Sequence, residues 1–176
     1  MATKSIAEIS GDRGTEPLDV VYDILAGEVE DLHSTMIVAF VYDEDDVRLA
    51  FEHPRCMVGS DATALAPDGP LAGDCFHGAY TWASWFFRYF VREKKILTRE
   101  EAVNRLTALP ASRLGLEDRG ILKVGAYADV AVFDPNLFTE RGTTFKPSQT
   151  AGGMVHVVVN GEMGVENGDA FLGVSG

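Results

Sequence analysis

The chain has 176 residues, of which 46% are hydrophobic and 24% are charged, so it is long and apolar enough to form a folded core. Its formal net charge of -12 argues against nucleic acid and anionic membrane surfaces as partners, because both bind through Lys and Arg. No apolar run approaches the ~20 residues of a membrane span, and the first segment, MATKSIAEISGDRG, lacks the apolar stretch of a secretory signal. Cys56 and Cys75 are neither CxxC-spaced nor numerous enough for a disulfide framework, which predicts a cytoplasmic location.

Two short helices are predicted at the start of the chain. Ser5 and Glu8 have the spacing of a capping box, which predicts a helix that begins there. Thr15 is the predicted N-cap of the second helix, because Pro17 is well tolerated in a first helical turn.

A strand, a helix and a second strand are predicted next. The continuous apolar run Met36–Val41 is typical of a strand buried on both faces, and Cys56–Gly59 is a shorter run of the same kind. Between them, Asp43 is a plausible N-cap and Pro54 ends the helix. The alternation of helices and strands predicts a parallel α/β arrangement.

The middle of the chain is predicted to be helical after a loop rich in Pro and Gly. The segment GAYTWASWFFRYFVREKK carries aromatic residues at helical spacing, and core packing explains them better than a ligand-stacking or nucleic-acid site. Thr98 and Glu101 form another capping box. Pro110 can open one more turn, which Gly115 can close.

The sequence changes character after Gly120. Short β-branched segments alternate with turns, and Asn160-Gly161 between apolar runs is the strongest hairpin signal in the chain. This tail is therefore predicted to be β and mostly antiparallel.

Asp61 is the residue best placed for chemistry, because it follows a predicted strand and enters a loop. Ser60 and Thr63 beside it could contact a substrate or satisfy the turn, and the turn explanation is favoured. His77, at the start of the aromatic helix, could touch a substrate, although a histidine there is more often structural. A metal would need more ligands than this, and no HxH, HExxH, GxGxxG or GxSxG motif occurs in the sequence.

The sequence resembles the C-terminal portion of the N-acyl-D-amino-acid deacylases, the D-aminoacylase-like family of the amidohydrolase superfamily. The resemblance rests on HPRCMVGSDATAL, on LTALPASRLGLEDRG, and on GAYADVAVFDP followed by VVVNG, in the order of the family. It extends from about Ser5 to Gly168. The last two segments alone would indicate only the superfamily, whereas the first two are more specific to the deacylases.

The resemblance implies an α/β fold that is part of a TIM (β/α)8 barrel followed by part of a small β-sandwich. Residues 1–119 would supply the last two barrel strands with their helices, and residues 120–176 the sandwich segment. The remaining barrel strands would lie before Met1. The chain is therefore expected to be a fragment that needs its missing N-terminal barrel portion or self-associates.

The resemblance also implies a zinc-dependent enzyme that hydrolyses the amide bond of N-acyl-D-amino acids. Asp61 would contact the metal and transfer a proton between the attacking water and the leaving amine, with the other zinc ligands outside this chain. Ser60 and His77 would be substrate contacts. Alone, the chain is expected to be inactive. Two alternatives stay open: a non-catalytic binding or assembly remnant, and an amidohydrolase acting on cyclic amides, as dihydroorotases and hydantoinases do.

Overall fold

A computed structural model of the chain describes residues 4–30, 37–39, 41–62, 65, 69–71, 78–143 and 146–171. The chain divides into two compact units, Met1–Ala39 and Phe40–Gly176. The predicted boundary between residues 119 and 120 stays a prediction. Among the described helices, none is long and apolar enough to cross a membrane.

The first unit begins with helix α1, Ile6–Arg13. The predicted capping box is present, because the Ser5 hydroxyl accepts the backbone N–H of Glu8 at 3.2 Å. In return, the Glu8 carboxylate accepts the backbone N–H of Ser5 at 2.7 Å. Two of the N–H groups that a helix start leaves unpaired are thereby satisfied.

Helix α2, Pro17–Gly27, follows in this unit. Its N-cap is Glu16 without a side-chain cap, so the predicted Thr15 cap is wrong by one residue. Pro17 explains the shift, because its fixed φ suits the first helical position and it has no N–H to be capped. Val20 is fully buried, whereas four apolar side chains on this helix and the following turn are exposed: Leu18, Tyr22, Leu25 and Val29.

The described residues of the second unit form four helices and a sheet. The helices are α3 (Glu44–Glu52), α4 (Trp82–Phe87) with a π-helical continuation (Arg88–Glu93), α5 (Arg99–Leu106) and α6 (Ala108–Leu114).

The predicted caps of α3 and α5 are both confirmed. The Asp43 carboxylate accepts the N–H of Asp45 at 2.8 Å, and the Thr98 hydroxyl accepts that of Glu101 at 3.2 Å. Gly115 ends α6 with a φ of 74°, in the left-handed region that a glycine enters at little cost.

The tail forms a four-stranded antiparallel sheet in the order β1-β2-β3-β4. The strands are β1 (Val130–Phe133), β2 (Met154–Val159), β3 (Glu162–Glu166) and β4 (Asp169–Ala170). Asn160 and Gly161 join β2 to β3 with φ values of 51° and 87°. Positive φ at both positions is the requirement of a type I′ turn, so the predicted hairpin is confirmed.

The core of the second unit lies between the aromatic helix, which is α4 with its π-helical continuation, and the sheet. Phe86, Phe87 and Phe90 are at most 1% exposed. The Phe87 ring lies 5.2 Å from that of Phe133 and 5.9 Å from that of Phe138. The prediction that the aromatic residues of this helix form a core is therefore confirmed.

The two predicted barrel strands are not formed in the described residues. Residues 37–39, 41 and 56–60 have no regular secondary structure, and Ile37, Val38 and Val41 are 78%, 54% and 70% exposed. A parallel strand needs neighbouring strands on its edges, and no described strand pairs with these segments. The confirmed architecture is thus helical with a small antiparallel sheet.

Candidate functional site

Asp61 lies in an exposed turn after the segment 56–60. Its φ is 49°, in the left-handed region where aspartate is found more often than most residues other than glycine. The Ser60 hydroxyl accepts the backbone N–H of Ala62 at 3.3 Å, which is the turn-forming role favoured for it. The Asp61 side chain is therefore presented to solvent from a locally ordered turn.

Arg105 of α5 holds the segment that leads to Asp61. Its guanidinium Nη1 donates to the carbonyl of His53 at 2.9 Å and to that of Cys56 at 2.8 Å. The backbone N–H of Val58 donates to the Arg105 carbonyl at 3.4 Å. Arg105 is only 5% exposed, so these bonds lie largely out of water.

The same segment is closed on itself and packed against the core. The N–H of Cys56 donates to the carbonyl of His53 at 3.0 Å, which closes a turn around Pro54. Val58 packs against the buried aromatic cluster. The backbone segment that precedes Asp61 is thus held by a turn, by α5 and by the core.

Arg105 was not among the predicted functional residues, although the helical period of α5 points to it. Ala102, Arg105 and Leu106 stand at positions i, i+3 and i+4 and so share one helix face. Ala102 is fully buried on that face. A charged residue on a buried face indicates a specific polar partner, since Arg is rarely buried unpaired.

The described residues do not by themselves form a metal site. Among them there is no group of three or more His, Cys, Asp or Glu residues that could hold a metal ion. Zinc needs three or four protein ligands, and one exposed carboxylate at Asp61 does not provide them. His77, Thr63 and Cys75 lie outside the described residues, so the substrate contact expected of His77 stays a prediction.

A second cluster joins three segments that carried the resemblance. Arg119 pairs with the carboxylate of Asp129, donates to the amide oxygen of Asn160 at 2.7 Å and lies 4.0 Å from the ring centre of Tyr127. The N–H of Asn160 donates to Asp129 at 2.8 Å. This backbone bond, together with the Arg119 pair, lowers the pKa of the Asp129 carboxyl.

This cluster connects LEDRG, GAYAD and VVVNG, three segments that are separate in the sequence. Each supplies one member of a shared hydrogen-bonded group that fixes the hairpin against the loop before β1. It is a structural element of the sheet, and none of its members is close in sequence to Asp61.

The model of the "Amidohydrolase family" matches residues 28–164, which is most of the chain. The chain belongs to the amidohydrolase family. A curated relative, the N-acyl-D-glutamate deacylase of Alcaligenes xylosoxydans xylosoxydans, is 43% identical over 126 residues, which cover 70% of this chain and 24% of the relative. Dihydroorotases are also similar, for example that of Lactobacillus helveticus, at 32% identity over 52% of this amidohydrolase chain.

Two solved structures of deacylases have the fold of this amidohydrolase chain. The N-acyl-D-glutamate deacylase of Bordetella bronchiseptica, solved with zinc and a phosphonate inhibitor, is 32% identical with a TM-score of 0.70. It is matched over 91% of this chain and 31% of its own. A D-aminoacylase described by its binuclear metal centre is 26% identical with a TM-score of 0.75, over 97% of this chain and 33% of its own.

These matches confirm the resemblance to the N-acyl-D-amino-acid deacylases. The chain spans about a quarter of the curated deacylase's length and about a third of each solved one. The dihydroorotase match covers less of the chain at lower identity than the glutamate deacylase match.

Proposed function

We propose that this chain is the C-terminal portion of a zinc-dependent amidohydrolase that hydrolyses the amide bond of N-acyl-D-amino acids. The observation that carries the proposal is the 43% identity to an N-acyl-D-glutamate deacylase over 126 residues. Asp61 is exposed and has a left-handed backbone conformation, and the segment before it is held by a turn, by α5 and by the core. Such a reaction needs a carboxylate that is presented in this way.

In this proposal, residues 1–119 form the last part of a TIM (β/α)8 barrel and residues 120–176 part of a small β-sandwich. The exposure of Ile37, Val38 and Val41 supports this, because these side chains would be covered once neighbouring strands pair with their segment. The barrel strands at Met36–Val41 and Cys56–Gly59 would then form only in the complete barrel, since their hydrogen-bond partners belong to other strands.

Asp61 would be the proton-transfer residue of the complete enzyme. Its carboxylate would accept a proton from the attacking water as the water oxygen bonds to the acyl carbon. It would return that proton to the amine nitrogen as the carbon–nitrogen bond breaks, which leaves a carboxylate and a free D-amino acid. Ser60, whose hydroxyl already accepts the N–H of Ala62, and His77 would be substrate contacts.

Asp61 would be one contact to the zinc, and the other zinc ligands would lie outside this chain. When bound, zinc polarises a substrate carbonyl and lowers the pKa of water. Since three or four ligands are needed and the described residues contribute one, we infer that the isolated chain is inactive.

Activity should be tested in a continuous reading frame that includes the sequence upstream of Met1. We expect this enzyme to release the free D-amino acid from N-acyl-D-glutamate or N-acetyl-D-methionine, and not from the L enantiomers. Asp61→Asn keeps the size of the side chain but removes its basicity, so turnover should fall roughly 10²–10⁴-fold. The matched control is Asp46→Asn, at an exposed carboxylate in the first turn of α3, which should leave turnover unchanged.

The same assay separates the alternatives. Hydrolysis of dihydroorotate in place of N-acyl-D-amino acids would favour a cyclic-amide enzyme. No turnover of either class, with no zinc bound, would favour a non-catalytic binding or assembly remnant. Near-normal deacylation by Asp61→Asn would refute the role given to this residue.

We also propose that the isolated chain associates with the missing barrel portion or with itself. The exposed apolar side chains of α2 and those of Ile37, Val38 and Val41 support this, because exposed apolar surface favours association in water. Light scattering over a concentration series should show an increase in mean mass. A stable monomer at high concentration would contradict it. The cytoplasmic location stays a prediction.

A further inference from the structure

We propose that Arg105 is a positioning residue for Asp61, holding in register the segment from which that carboxylate is presented. This inference rests on the function proposed for Asp61. Arg105 touches neither substrate nor reacting atoms in this account. It acts through the backbone of residues 53–58.

The partners of Arg105 are the first support. A guanidinium that is only 5% exposed is costly to bury unless its donors are satisfied. Here one nitrogen donates to two carbonyls from the same short segment, those of His53 and Cys56. The rigid, planar guanidinium thereby fixes the distance and direction of both carbonyls relative to α5.

The second support comes from comparing Arg105 with the apolar residues that could occupy its position on this face of α5. Ala102 and Leu106 on the same face are apolar, and an apolar residue at position 105 would also fill space there. Buried ionic groups are often replaceable by apolar ones without loss of stability. What an apolar residue cannot do is pair with the carbonyls of His53 and Cys56, so the specific contribution of Arg105 is to hold that segment.

The position of the segment is the third support. The bond from the Val58 N–H to the Arg105 carbonyl extends the hold to within three residues of Asp61. Asp61 has a φ of 49°, a conformation that costs a residue other than glycine free energy and that the neighbouring backbone helps to maintain. Displacing a catalytic carboxylate by about 1 Å can lower the reaction rate by two orders of magnitude. Contacts that fix the backbone three residues away can therefore affect turnover.

The first test is local hydrogen exchange in the chain itself. Arg105→Met removes the donors and keeps an apolar chain of similar length, while Arg105→Lys keeps the charge and one donor group. The amides of Val58 and Ala62 report on the segment, and that of Leu97, bonded to the Phe90 carbonyl at 3.2 Å, reports on the core. Arg99→Met on the exposed side of α5 is the matched control.

We expect Arg105→Met to accelerate exchange at Val58 and Ala62 roughly 10- to 100-fold, the effect of losing hydrogen bonds from a charged donor. Arg105→Lys should show a smaller acceleration, and exchange at Leu97 should not change. Unchanged exchange at Val58 and Ala62, or equal acceleration at all three amides, would overturn the inference.

The second test uses the continuous enzyme described above. Arg105→Met should lower kcat about 100-fold with KM within twofold of the unmodified enzyme, and Arg105→Lys should restore part of the loss. A change in KM alone would overturn the positioning role. If the unmodified enzyme deacylates no substrate, the proposed function fails, while the exchange test still decides whether Arg105 holds the segment.

Discussion

The ion pair between Arg88 and Glu140 links the aromatic helix to the loop that follows β1. Arg88 Nε lies 2.9 and 3.1 Å from the two carboxylate oxygens of Glu140, and its Nη2 also contacts the carboxylate. The two side chains are 23% and 17% exposed, and Glu93 is a second partner of Arg88. We predict that removing either member of the Arg88–Glu140 pair destabilises the second unit.

The magnitude follows from the geometry and the exposure. Exposed ion pairs contribute about 0–1 kcal/mol, and breaking a buried pair costs about 3–5 kcal/mol. This pair is bidentate but partly wet, so its coupling free energy should be about 1–2 kcal/mol. Arg88→Met and Glu140→Gln should each lower the free energy of unfolding by at least that amount, because each leaves its former partner without it.

The pH dependence has a defined sign. Burial alone would raise the pKa of Glu140, but the hydrogen bonds and charge of Arg88 lower it below the ordinary value of 4.5. A carboxyl whose pKa is depressed by folding contributes stability that is present above its unfolded pKa and lost as pH falls through its folded pKa. The coupling should therefore be complete at pH 7 and decline below about pH 4.5.

A double-mutant cycle by urea unfolding measures this coupling at pH 7 and at steps toward pH 3.5. The control is the exposed pair of Arg48 and Asp45, whose side chains are 39% and 85% exposed and whose coupling should stay below about 0.5 kcal/mol. A coupling for Arg88 and Glu140 no larger than that of the control, or one that does not change with pH, would refute the reasoning.

Three further predictions concern the core, the hairpin and the metal. The Phe90 ring is fully buried and contacts four other aromatic rings. Phe90→Ala should lower the free energy of unfolding by about 3–5 kcal/mol, as measured by urea titration. A loss under about 1 kcal/mol would contradict its core role. Gly161→Ala should cost about 1 kcal/mol because its φ is 87°, whereas Gly11→Ala within α1, with equally open space, should be neutral or stabilising by the same assay. The isolated chain should retain less than one zinc per chain after dialysis, and one tightly held zinc measured by elemental analysis would indicate a self-contained site.

Local sequence patterns predicted the local elements well. The capping boxes at Ser5 and Thr98 and the turn at Asn160-Gly161 depend on residues within a few positions of one another, so the sequence contains all that they need. The burial of Phe86, Phe87 and Phe90 was predictable for the same reason, since they lie at helical spacing on one segment, whereas Phe133 and Phe138 join them from distant positions. The motifs identified the family, and the family match and the identity to an N-acyl-D-glutamate deacylase confirmed it.

What the tertiary structure decided depends on residues distant in the chain. Arg105 lies about 50 positions from the carbonyls that it holds, and Arg119, Asp129 and Asn160 meet only because the sheet brings their segments together. The runs Met36–Val41 and Cys56–Gly59 have the composition of strands, yet their described residues are not strands here. Apolar composition can be read from the sequence, but a parallel strand exists only when neighbouring strands accept and donate its backbone hydrogen bonds.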